Sequence, residues 1–145
     1  MRRFEDWPER LIAYIDAEAA SSFRWGITDC AFFAANGVLA MTGRDFLAAY
    51  RRRPGGPGRY TTKRGAAMAL KRRDGTLRAG MERRFGAAVG WTRARRGDVV
   101  LMETDEAFGE ALGLCLGRQS AFRDPREGLV FVDTCEVSAA WAVGD

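Results

Sequence analysis

At 145 residues, with 47% hydrophobic and 11% aromatic side chains, the chain is long enough to bury a sizeable core, and its net charge is +4. It contains no histidine, and its three cysteines, Cys30, Cys115 and Cys135, lie far apart and in no C-x-x-C pair. Imidazole-ligated metals are thereby excluded, neither a disulfide framework nor a thiolate zinc site is suggested, and no metal or cofactor is expected.

In chain order, Asp6 is placed to cap a first helix. Pro8 and Glu9 suit its opening turn, and Leu11, Ile12, Ile15 and Ala19 fall on one face at helical spacing, to about Ala20. A second helix is predicted from Thr28 or Asp29. It should bury Phe32, Phe33, Val38, Leu39 and Met41 around much of its circumference and end at Gly43, which suits the left-handed residue after a helix. Asp45 to about Arg52 reads as a short third helix. RRRPGGPGRY follows as a surface loop, with two prolines and three glycines between Pro54 and Gly58. Thr61 or Thr62 then caps a helix through Ala66, Ala67, Ala69 and Leu70, and another covers Leu77 to Phe85.

From Gly86 onward the pattern changes to short β-forming runs bounded by turn residues: Asp98 to Met102, Leu112 to Leu116, Leu129 to Asp133 and Ala140 to Val143. Helices first and strands after, without alternation, predict an α+β fold with an antiparallel sheet in one domain spanning 1–145. No apolar run reaches the ~18 residues a membrane-spanning helix needs, so no membrane insertion is expected. The opening MRRFEDWPER lacks the apolar stretch and cleavage site of a secretory signal, so synthesis in the cytoplasm is expected. Lysine occurs only at Lys63 and Lys71, and the arginines are spread along the chain among Glu and Asp. That spread reads as a solvated face, and nucleic acid is not the expected partner.

One stretch carries chemistry. FRWGITDCAFF, residues 23–33, sets Cys30 in the first turn of the second helix, directly after Asp29. Unpaired N–H groups and the positive end of the helix dipole stabilise a thiolate there, which makes Cys30 the candidate nucleophile. Asp29 can cap the helix, and Phe23 and Trp25 could wall a groove. A free cysteine on a helix is more often a small buried apolar residue, and position alone favours that reading.

The order aromatic, Trp25-Gly26, Asp29-Cys30, apolar helix, then Gly97-Asp98-Val99-Val100 and Leu112-Gly113-Leu114 resembles the NlpC-type papain-like cell-wall peptidases. A closer resemblance, over almost the whole chain, is to small phage and prophage tail-module proteins of unknown function that are distantly related to those enzymes. It rests on FRWGITDC, Thr42-Gly43-Arg44-Asp45, Arg59-Tyr60-Thr61-Thr62 with Gly65-Ala66, Gly97 to Leu101, Ala111 to Gly117, Gly128 to Val132 and Trp141. The resemblance implies an NlpC/papain-like fold, a helical N-terminal half packed on a C-terminal antiparallel sheet. Cys30 matches the nucleophile and Asp29 the acidic residue before it. The histidine position is Ala111, and the third polar residue would fall near Val130 to Asp133, where only Asp133 is polar.

Attack by a thiol on an amide needs a base and then an acid for the leaving amine, worth roughly 10²–10⁴ in rate. Alanine supplies neither. The implied function is a catalytically degenerate structural component of a phage tail tip, made in the host cytoplasm and assembled into the virion beside a tail hub or fibre, in contact with peptidoglycan. The alternative is an active cysteine peptidase or amidase on peptidoglycan, using Cys30 with a non-histidine or partner-supplied base. A third class is a basic module meeting DNA or an anionic cell surface through Arg51 to Arg53 and Arg93 to Arg96. For contacts with partner proteins, the expected surface is the Arg51 to Arg59 loop with Tyr60.

Overall fold

The computed structural model describes residues 1–105 and 108–144. Four α-helices come first: α1 (Trp7–Ala19), α2 (Cys30–Thr42), α3 (Lys63–Arg73) and α4 (Leu77–Phe85). Five strands follow: β1 (Val99–Glu103), β2 (Glu110–Cys115), β3 (Gln119–Asp124), β4 (Gly128–Asp133) and β5 (Ala139–Trp141). They form one antiparallel sheet in the order β4-β3-β2-β1-β5. The chain thus has the α+β architecture predicted, helical half first and sheet second.

The local signals explain most of the boundaries. Asp29 caps α2 by accepting the Phe32 N–H, and Gly43 ends it at φ 77°. Thr62 and Thr76 cap α3 and α4 through the N–H groups of Gly65 and Ala79. Asp6 does not cap α1 with its side chain. It pairs instead with Arg10, Oδ1 to Nε at 2.7 Å. The predicted face of α1 is buried only in part, through Leu11 and the half-buried Ile15. Ile12 and Ala19 are exposed, whereas Leu11 and Glu18 are buried. The expected third helix is only a 3₁₀ turn at Ala48–Tyr50, because Asp45 spends its carboxylate on the Leu47 N–H and on Arg51.

The strand the sequence hid is β3. Its residues, QSAFRD, set two apolar side chains between polar pairs without the alternation of a strand, yet Ser120 and Arg123 are buried with Ala121 and Phe122. Arg123 lies under the helices and donates to the Glu18 and Ser21 carbonyl oxygens, both at 2.8 Å, so a charged side chain closes the C-terminus of α1.

The sheet is apolar on both faces. Val99, Leu101, Leu112, Leu114 and Ala121 pack with Phe33, Ala34, Val38 and Met41 of α2. Val100, Cys115, Phe122 and Ala140 form a second cluster on the other face, with Met102, Ala111, Val130 and Val132 against it. Gly37 lets α2 lie close on β2, since a Cβ there would collide with the Leu114 side chain.

Candidate functional site

The site is made by an incomplete strand pairing. β2 stays paired with β1 down to Glu110, but its register with β3 begins only at Gly113, opposite Phe122. The two strands therefore part at Ala111 and Leu112. The N-terminus of α2 comes to that opening, where the backbone N–H of Leu112 acts on the Cys30 sulfur in favour of its thiolate.

A cavity of about 60 Å³ lies there, lined by Phe23, Trp25 and Phe108 on one side and by Met102, Ala111, Phe122 and Val130 of the sheet. Phe23 and Trp25 meet edge to face at 4.8 Å between centroids, and Trp25 meets Phe108 the same way at 6.0 Å. Cys30 and Ala111 line this one cavity, so the structure brings together the nucleophile position and the position that the resemblance gives to histidine. Val130 also reaches it. Asp133 does not: it lies at the far end of β4, in a surface recess with Trp91 and Cys135. The strand following β2 is β3, not the Leu129 to Asp133 run, and this corrects the expected location of the third polar residue.

Cys30 is not an activated thiol. Burial is the largest effect on it and the neighbouring Asp29 charge the second; together they push it up to about 12, although the N–H groups of Leu112, Ala31 and Cys30 itself act the other way. Desolvation thus outweighs the helix dipole here, in keeping with the reading of Cys30 as a small buried residue. Asp29 is 1% exposed and works as a structural clamp. Its Oδ2 accepts the Gly26 N–H at 2.8 Å and the Tyr60 hydroxyl at 2.7 Å, and its Oδ1 accepts the Phe32 N–H at 3.0 Å. Burial raises its pKa above the ordinary carboxylate value, against those three hydrogen bonds.

The other ionisable groups lining the cavity are engaged elsewhere. Glu110 Oε1 accepts the Arg78 N–H at 3.4 Å, and Asp124 Oδ2 accepts the N–H groups of Arg126 and Glu127, each at 2.8 Å. Arg123 is committed to α1. Among the described residues, no group of three or more His, Cys, Asp or Glu could hold a metal, and no helix is long and apolar enough to cross a membrane.

Two members of the expected contact set, Arg51 and Tyr60, turn inward. Arg51 is 5% exposed, with Nε 2.5 Å from Asp45 Oδ2, Nη2 2.5 Å from Asn36 Oδ1 and its guanidinium over the Phe32 ring. Tyr60 turns inward to Asp29. Of that set, Arg52, Arg53 and Arg59 are exposed. Sequence reasoning gave Tyr60 to a surface and did not single out Arg123. The Arg59-Tyr60-Thr61 motif was a signal for the first, and nothing in QSAFRD was a signal for the second.

The fold has a solved counterpart. The chain is similar to the NlpC/p60 domain of the peptidoglycan hydrolase SagA, at a TM-score of 0.57 and 16% identity, over 92% of this chain and 97% of that one. No curated protein matches the sequence. Residues 2–143 match the family described as Domain of unknown function (DUF6950). The chain therefore belongs to the DUF6950 family and carries it on an NlpC/p60-like α+β fold.

Proposed function

We propose that this chain is a catalytically silent NlpC-like domain that acts through contacts, as a structural component of a phage or phage-derived tail tip lying close to peptidoglycan. One observation carries the loss of catalysis. Where a base should face the nucleophile position, the side chain is the methyl of Ala111, and Cys30 is held protonated by burial. A thiol without a base before attack or an acid for the leaving amine does not turn over an amide. The tail-tip assignment draws its support from the sequence resemblance, and the nearness to cell wall from the fold shared with a peptidoglycan hydrolase domain.

The test is release of muropeptide fragments from purified peptidoglycan, followed by mass spectrometry, with wild type beside Cys30→Ala. Identical profiles are expected. Fragments that appear only with Cys30 intact would reinstate the cysteine peptidase reading. The base should then be sought at Glu110 or Asp124, which line the cavity, or on a partner chain, rather than at Asp133. For the tail-tip role, the check is whether the chain copurifies with assembled tail particles; its absence from them would remove that half of the proposal.

A further inference from the structure

An open groove of about 840 Å³ lies at the opposite end of β1 from Cys30, between the start of α1, the end of α4, the 87–96 connection and β5. Trp7, Phe85 and Val89 give it apolar walls. Arg93, Arg95 and Arg96 also line it and are exposed. Among the described residues, none of these three side chains makes an ion pair or a hydrogen bond.

The backbone that carries them is fixed in advance. Asp98 Oδ2 accepts the Arg95 N–H at 2.8 Å, and the Asp98 N–H returns a bond to the Arg95 carbonyl at 2.9 Å. Arg3 Nη1 donates to the Arg96 carbonyl at 2.8 Å, and the Gly97 N–H donates to the Cys115 carbonyl at 2.8 Å. Asp98 is the acidic residue of the lining, and it is spent. Its Oδ1 takes Arg3 Nη2 at 2.9 Å and the Val143 N–H at 3.1 Å. The groove thus presents cationic side chains on an ordered frame without internal neutralisation, an arrangement that lowers the ordering cost of binding an anion.

Its aromatic residues decide which anion. Bound single strands of nucleic acid rely on free ring faces for base stacking. Here the Trp7 ring is already covered by the Arg3 guanidinium, 4.2 Å from its centroid. Trp141 is 2% exposed and donates its Nε1–H to the Gly86 carbonyl at 3.1 Å, and Phe85 packs edge-on against Phe46. Apolar walls with an arginine rim suit carboxylates alternating with apolar side chains. We propose that this groove docks an acidic, partly apolar peptide segment of a partner protein. The inference rests on other residues than the loss of catalysis at Cys30 and stands or falls separately.

The test uses the full chain at low ionic strength and fluorescence anisotropy of a short labelled peptide of glutamates with interspersed leucines. The same peptide with glutamine for glutamate and an oligothymidylate of similar length are the comparison probes. Arg93→Glu/Arg96→Glu is set against Arg52→Glu/Arg53→Glu, an equal charge change at exposed sites of the 51–59 loop, with thermal melts to show both variants folded. The acidic peptide should bind, weaken as salt screens the charges, lose roughly tenfold or more in affinity with the first pair and less than about twofold with the second. No binding by wild type, equal loss with both pairs, or equal binding of the glutamine peptide would each overturn the proposal. Tighter binding of the oligothymidylate would assign the groove to nucleic acid instead. Should the glutamate pair fail to fold, Arg93→Gln/Arg96→Gln carries the same comparison.

Discussion

At Cys30 two effects of opposite sign act on one sulfur. The helix terminus and the Leu112 N–H favour the thiolate; burial and the Asp29 charge disfavour it, and they win by enough to hold the thiol near 12 instead of its ordinary 9.0. At neutral pH the thiolate fraction is then on the order of 10⁻⁵. Alkylation should reach the exposed Cys135 first and Cys30, whose thiolate is scarce, far more slowly, with the fully buried Cys115 modified only as the protein unfolds. The same shift fixes the direction of a pH effect. Unfolded, the thiol ionises near 9.0; folded, it keeps its proton to about 12. The unfolded chain therefore binds fewer protons in that window, so stability is intact below it and falls as pH rises through it. Tyr14 and Tyr60, also raised by burial, add to the fall with the same sign. The Cys30 share is isolated by comparing urea midpoints with Cys30→Ala, which should lose less stability between pH 9 and 12. Parallel curves for the two proteins, or Cys30 labelling ahead of Cys135, would contradict the buried-thiol assignment.

Elements were legible where one local rule decided them. Asp29, Thr62 and Thr76 cap helices through their own side chains, and Gly43 stops α2, so those boundaries follow from short-range chemistry. The errors arose where a neighbouring arginine claimed the capping carboxylate, or where a distant partner decided. Asp45 reads as a helix start but is taken by Arg51, and Asp6 reads as a cap but is taken by Arg10. In β3, no window of QSAFRD shows that the Arg123 guanidinium will be buried against carbonyls of α1, some 100 residues earlier. Arg123→Ala should cost roughly 3–5 kcal/mol, because it strips the C-terminus of α1 and removes the ion-pair partner that lies 3.4 Å from the buried Glu18 carboxylate. Arg123→Lys should recover only part of this, since an ammonium cannot span both carbonyls as the guanidinium fork does. Equilibrium urea unfolding measures both. A loss below about 1 kcal/mol for Arg123→Ala would mean that water replaces those contacts freely.

Across the whole molecule, the parting of β2 from β3 is what brings the α2 terminus and position 111 into one cavity, and neither element shows that alone. Ala111 belongs to the face of the sheet turned away from α2, yet it opens on the same space as Cys30. That Cys30 and Ala111 would share a site was legible from motif order, whereas the strand following β2 was not, because QSAFRD carries no strand signal. This geometry makes Ala111→His a test of the proposed loss of catalysis. An imidazole there should give the thiol a partner for ion-pair formation, which favours the thiolate. Alkylation of Cys30 should then quicken and its pH midpoint should drop below the wild-type value of about 12. Hydrolysis of peptidoglycan should still not appear. The ionisable groups described at the cavity are already engaged, Glu110 by the Arg78 N–H, Arg123 by α1 and Asp124 by the N–H groups of Arg126 and Glu127, and a misplacement of ~1 Å can cost about 10²-fold. Unchanged Cys30 reactivity in a folded variant would show that position 111 does not face the sulfur closely enough to pair with it. Appearance of muropeptide fragments would show that the rest of the machinery is intact and that the missing imidazole alone keeps the wild-type chain silent.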